Sequence, residues 1–337
     1  NNGVILTVSS GDTVVVNGAL NLSEGRWATG TIQSKGAVNI ASAWDGNGTG
    51  LFNITSTNET ITIPGELASN LTQTITLNGT GSTLSGTGSG TIEFAALTLT
   101  SGTLNMDGYN VSHSGVVTLS GGTYTAGSGS KTFAGTFTLN SGVFNGGSSS
   151  LGFTGIVSLT GGSFTATSGT LTASKAWTRG ASGSFFHNNG TVEFNGAGAT
   201  IDVPNTESFY KLRINSTGTK TIGALDAWTI FSDLTIINGL LSGSTASIQL
   251  NGNLTLGADA DAMNVPLTLS GTGTQMLSTA VNNIDGDLTI NKLGGSVELS
   301  QALVLNASSQ DLKIQNGSFA LNGNNLSVNG SSGTLIV

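Results

Sequence analysis

The chain has 337 residues, 51 of them Gly, and only 18 acidic and 10 basic side chains, a net charge of −8. So few charges exclude an ordinary helical enzyme, and the lack of a basic stripe or polybasic patch excludes nucleic acid and a charged membrane surface as partners. The absence of Cys excludes disulfides and thiolate metal sites, and no apolar run approaches the roughly 20 residues that span a bilayer, so no membrane span is expected.

Thr (48), Ser (42) and Asn (32) join Gly to fill 173 positions, about half the chain. The 37% of apolar residues are spaced rather than clustered, which predicts a folded, β-rich, repetitive protein with almost no helix. Residues 1–95 form irregular N-terminal coils. They open on Asn1-Asn2 rather than Met, which leads us to expect a mature or excised piece of an exported protein, and Val4-Ile5-Leu6-Thr7-Val8 is already strand-like. Ala43-Trp44 followed by Gly50-Leu51-Phe52 is echoed at Ala176-Trp177, and Gly90-Thr91-Ile92-Glu93-Phe94 at Gly190-Thr191-Val192-Glu193-Phe194.

Residues 96–175 form regular coils with a period of 20. Leu97, Val117, Phe137 and Val157 make one apolar column, and Leu99, Leu119, Leu139 and Leu159 another, with Thr98, Thr118, Thr138 and Ser158 between them. Apolar, polar, apolar is the two-residue period of a half-buried strand. Gly102, Gly122, Gly142 and Gly162 follow, and a turn at positive φ explains that column. Leu104, Tyr124, Phe144 and Phe164 supply a second inward strand, and His113, Phe133 and Phe153 a third. One such coil cannot bury its own apolar face, so coils must stack.

Residues 176–337 form irregular C-terminal coils. The x-Leu-x-Ile/Leu/Val pattern recurs with Leu212, Leu234, Leu254, Leu288, Leu312 and Leu326, and Pro266-Leu267-Thr268-Leu269 starts another copy inside the long gap. The fold expected is all-β: one continuous, elongated parallel β-solenoid over 1–337, of roughly 15 to 17 coils of about 20 residues.

Strings such as Ser101-Gly102-Thr103-Leu104-Asn105-Met106-Asp107-Gly108, His187-Asn188-Asn189-Gly190-Thr191-Val192-Glu193-Phe194-Asn195-Gly196 and Phe209-Tyr210-Lys211-Leu212-Arg213-Ile214-Asn215 resemble the degenerate strand repeats of large bacterial surface proteins. These are autotransporter passengers and filamentous adhesins. The resemblance implies a parallel β-solenoid exposed outside the cell, and it carries over no catalytic residue.

Residues capable of chemistry are few. Asp259 and Asp261, and Asp285 and Asp287, are each spaced by two, which suits a Ca²⁺ or catalytic pair. Against that, Asp287 matches Asp233, Asn253 and Asp311, where an Asx side chain bonds nearby backbone amides at a strand start. Lys211 and Arg213 are the outward half of a strand. His113 falls in a Phe column and His187 in a loop, so a zinc site is not expected. Trp27, Trp44, Trp177 and Trp228 would stack on sugars if exposed, but the echoed Ala-Trp context favours the core. No cofactor, metal or enzymatic activity is expected.

The function expected is mechanical: a subunit or segment of an extracellular, cell-surface fibre that assembles end to end with copies of itself. The assembly residues expected are Val4, Ile5 and Leu6 at one end and Leu335, Ile336 and Val337 at the other, where the final 24 residues carry no charge. The alternatives are a carbohydrate-binding adhesin, for which glycans or other cell-surface components would be partners, and a polysaccharide lyase or hydrolase. The chain holds 14 Asn-x-Ser/Thr sequons. Many sequons fall at expected corners, which would be exposed, and the candidate glycosylation sites are Asn47, Asn53, Asn58, Asn78, Asn189, Asn215 and Asn316, with Asn70 among the remaining sequons.

Overall fold

Period-two segments separated by Gly, Ser and Asn cannot continue as long strands, so the backbone turns at each corner and lays its next segment on the coil below. A computed structural model describes residues 4–65, 71–279 and 283–337. It divides into two compact units, Asn1–Gly169 with Gly180–Phe185, and Thr170–Arg179 with Phe186–Val337. The fold is all-β, with parallel strand pairing throughout the described residues and about 15 coils spaced roughly 21 residues apart.

In the first unit the strands Val117–Thr125, Phe137–Asn145 and Val157–Thr165 alternate with the short strands Lys131–Phe133 and Leu151–Phe153. Register is one repeat per coil: Leu99 faces Leu119, Leu119 faces Leu139 and Leu139 faces Leu159, all with no exposed surface. Thr98, Thr118, Thr138 and Ser158 form the matching outer row. Gly102, Gly122, Gly142 and Gly162 turn the chain at φ between 66 and 83°. Any side chain there meets the coil below, since a Cβ on Gly122 would lie 2.6 Å from the Gly102 carbonyl oxygen.

Aromatic rings fill this interior in two ladders. His113 is sandwiched between Phe94 and Phe133, with ring centroids at 5.0 and 4.8 Å, and Phe133 stacks on Phe153 at 4.6 Å. Tyr124, Phe144 and Phe164 rise in parallel, the last two stacked at 4.6 Å. All four tryptophans are buried. Trp27 stacks on Trp44 in the first unit, while Trp177 and Trp228 pack edge-on against Phe194 and Phe209 in the second.

In the second unit the recurrences of the x-Leu-x-Ile/Leu/Val pattern fall on different faces. Leu212, Leu234 and Leu254 do form one column, but it continues to Leu277 and Leu299, not to Leu288. Leu288 and Leu312 stand on a different face, stacked above Trp228, Ile248 and Leu267, and Leu326 pairs with Leu303. The physical reason is that a half-buried strand needs only alternation, so x-Leu-x-Ile fits any face of the coil.

Candidate functional site

Of the residues assigned to assembly, Ile5, Leu6, Leu335 and Ile336 lie on strands paired on one side, and Val4 and Val337 flank them. Ile5–Leu6 pairs with Arg26–Trp27, and Leu335–Ile336 with Leu312 and Lys313. All six side chains are exposed, Val337 by 90%. The surfaces beside them are apolar. Val14 is 38% exposed where its partner one coil on, Ile32, is 2% exposed. Similarly Leu326 and Val328 are half-buried above the buried Leu303 and Leu305. Val14, Leu326 and Val328 occupy the inward column positions of their strands, with nothing stacked on one side among the described residues.

The Asx residues work differently from a local turn. Asp233 Oδ1 accepts from Asn253 N–H, Asn253 Oδ1 from Met276 N–H, Asp287 Oδ1 from Asp311 N–H and Asp311 Oδ1 from Thr334 N–H, at 2.8–3.1 Å. Each side chain therefore bonds the amide one coil onward. This corrects the expectation of a bond to the near backbone. Bonds from the Thr334 hydroxyl and the Lys313 ammonium hold the Asp311 carboxyl below its ordinary range. Lys313 bridges Asp287 and Asp311 at 3.3 and 3.2 Å. Asp259 and Asp261 are exposed on one side of their strand. Lys211 and Arg213 point outward to Asp233 and Glu193.

His113 belongs to the core. Its Nε2 meets the Tyr124 hydroxyl at 2.9 Å, Nδ1 has no partner, and burial pushes its pKa down to about 3. Beside it, Lys131 occupies a column between Val111 and Leu151 and buries its stem. Its Nζ donates to the carbonyls of Tyr109 and Gly129 at 2.6 Å, and burial pulls its pKa to about 8. The 20-residue alignment holds the signal for this Lys, a charge in an apolar column, but sequence reasoning passed over it.

It also missed two groups of the second unit. Buried Lys220 donates to Ala197 O, and buried Lys292 to Ser270 O and Gln275 Oε1. Gln275 and Gln310 each donate to two carbonyls of lower coils. The other group is the sequence-distant pair Arg179 and Glu207, whose Nε and Oε2 lie 2.7 Å apart with little exposure. Burial raises the Glu207 pKa against the pull of Arg179. Asp226, also raised by burial, accepts from Val203 N–H at 3.0 Å. A Cβ on Gly223 would lie 2.6 Å from carboxylate oxygens of both Asp202 and Asp226. These acids meet backbone amides and one arginine, an arrangement that braces a corner. No cluster of three or more metal-ligating side chains is present among the described residues.

Of the sequons, Asn58, Asn78, Asn189 and Asn316 are exposed, and Asn47, Asn53 and Asn215 are half-buried. Asn58 and Asn189 sit at left-handed corners, with φ of 58 and 55°. Asn215 Nδ2 donates to Glu193 Oε1, and Asn316 Nδ2 to Asn291 Oδ1. Asn70 lies outside the described residues.

A last group stands at one corner of the second unit. Lys211 N–H bonds Gly190 O and Ser232 N–H bonds Tyr210 O, so the corners 186–190, 210–211 and 231–233 lie on successive coils. There the His187 ring packs against Tyr210 and Phe231, with centroids at 5.9 and 5.5 Å, beside exposed Phe186. Comparison with family models, with curated proteins and with solved structures finds no match to this chain.

Proposed function

We propose that the chain is a structural segment of an extracellular surface fibre, of the autotransporter-passenger and filamentous-adhesin kind, lengthened by the coils of a second copy stacking on its open faces. The observation that supports this reading most directly is the exposure of inward column positions at both faces, Val14 at one and Leu326 and Val328 at the other. An apolar coil face with an unpaired strand edge is a template for another parallel coil, and a heterologous contact that does not close propagates as a filament. The buried titratable groups fit the same reading: Lys131, Lys220, Lys292 and Glu207 are occupied in bonds between or within coils. We assign the chain no catalytic step and no cofactor. On an external fibre the candidate sites Asn58, Asn78, Asn189 and Asn316, being exposed, are open to glycosylation.

Deleting residues 333–337 tests the assembly. The edge strand Leu335–Ile336 goes with them, and filaments should shorten or fail to form in electron micrographs while the remaining coils keep their strand signal by circular dichroism. Filaments of undiminished length and stability would overturn terminal-strand assembly. Intact mass of native material tests the glycans, since a mass equal to the 33.7 kDa polypeptide excludes them.

A further inference from the structure

Corners of the second unit are mostly made of small polar residues, such as Asn251-Gly252 and Ser270-Gly271. Such residues suffice for turning the chain and for solubility. The corner at 186–190, 210–211 and 231–233 departs from this. Phe186 and Phe231 are 54% and 49% exposed, and they are the exposed phenylalanines among the described residues. Leaving two large rings in water forgoes the gain of burying them and adds nothing to the core, so their place is explained by something they contact.

The polar groups around them narrow what that is. Asn189 N–H donates to His187 Nδ1 at 3.0 Å, which leaves the neutral ring's hydrogen on Nε2. Burial lowers the His187 pKa, so the ring is neutral at pH 7. Among the described residues neither Nε2 nor the Tyr210 hydroxyl has a hydrogen-bond partner, so each is open to an outside group. The charges at this corner, Lys211 and Asp233, face each other at 3.9 Å and cancel. The surface thus offers flat apolar rings, a nitrogen donor, a hydroxyl and no net charge. An uncharged pyranose is the complement: its C–H face lies on aromatic rings, whose faces are electron-rich, and its hydroxyl rim takes the donor and the hydroxyl.

We propose that Phe186, His187, Tyr210 and Phe231 form a binding site for the pyranose rings of an uncharged glycan. Tyr210 and Phe231 carry the stacking, and His187 holds both rings in place while donating from Nε2. The site is independent of end-to-end assembly, since all four residues lie on coil corners and not at the terminal faces.

Saturation-transfer NMR on the full chain tests it, with cellohexaose, chitohexaose and mannohexaose as probes and polygalacturonate as the anionic control. At least one neutral probe should receive saturation on its ring protons. Phe231→Ala and Tyr210→Ala should each weaken that probe by about tenfold, and Tyr210→Phe, which keeps the ring, by less. Because Phe231 is exposed, its truncation should leave the melting midpoint in place, and Leu293→Ala, at a separate exposed position, should leave binding unchanged. Failure of all three neutral probes to bind, equal binding by Phe186→Ala/Phe231→Ala, or preference for polygalacturonate would each overturn the proposal. Loss of self-association in that double variant, with sugar binding intact, would identify a second copy as the occupant instead.

Discussion

The coils between Leu97 and Thr165 in the first unit and those between Leu212 and Asn264 in the second meet the same stacking requirement with different side chains. In the first, aromatic rings repeat at 20-residue steps, and no ion pair occurs among that unit's described residues. In the second, the ladder is aliphatic, its steps from Leu212 to Leu234 to Leu254 to Leu277 are 22, 20 and 23 residues, and ion pairs stand around it. Rings stacked at about 4.6 Å hold only if every coil repeats the same backbone path. Leu and Ile tolerate shifts. In both units buried side chains donate to carbonyls of the coils, Lys131 in the first and Lys220, Lys292, Gln275 and Gln310 in the second.

The comparison is most easily broken at a glycine. Gly122→Val forces a β-branched residue to φ 66° against the coil below and should cost more than about 4 kcal/mol in urea unfolding. Gly294→Val in the second unit, where the nearest atom to a new Cβ is 3.3 Å away and φ is ordinary, should cost about 1 kcal/mol or less. Equal costs would show that the regular coils are no more tightly specified than the irregular ones.

Acid should separate the units next. His113 is neutral in the fold, with its pKa depressed to about 3, so the unfolded chain takes up a proton first as pH falls. Stability from this residue is complete above pH 6.5 and is lost between 6.5 and 3, by at most about 5 kcal/mol. The double variant His113→Phe/Tyr124→Phe copies the Phe133 and Phe144 rungs and should flatten that pH dependence. An unchanged slope in urea midpoints would remove His113 as its source.

In the second unit, Glu207→Gln leaves Arg179 buried without its counter-charge and should cost about 2–4 kcal/mol. Glu93→Gln, on a half-buried carboxylate with no ion pair, should change stability by about 0.5 kcal/mol or less. The last effect concerns Lys131. Its lowered pKa means that between pH 8 and 10.5 the unfolded chain holds more protons, so stability rises with pH across that window. Lys131→Leu, matching Leu151 above it, should abolish the rise while leaving the carbonyls of Tyr109 and Gly129 without their donor.

The same contrast explains what was legible in the sequence. Leu99, Leu119, Leu139 and Leu159 were placed correctly because an ungapped period fixes the face as well as the strand. Leu288 carries the same pattern as Leu254 yet stands on another face, because once the period varies, alternation identifies a strand but not which side of the coil carries it. Arg179 and Glu207 meet across 28 positions, a separation that no repeat in the sequence announces. The exposed corner of Phe186, Tyr210 and Phe231 was hidden for a related reason. Each ring adjoins a buried aromatic or aliphatic neighbour in sequence, and only the corner geometry distinguishes the ring that faces out.

The claim that most depends on the whole account is that open coil faces propagate, and electron microscopy of the intact chain across a range of concentrations tests it most directly. The account predicts continuous filaments whose strands repeat along the axis at about 4.8 Å, with their number rising with concentration. Single, unassociated chains at every concentration would contradict it.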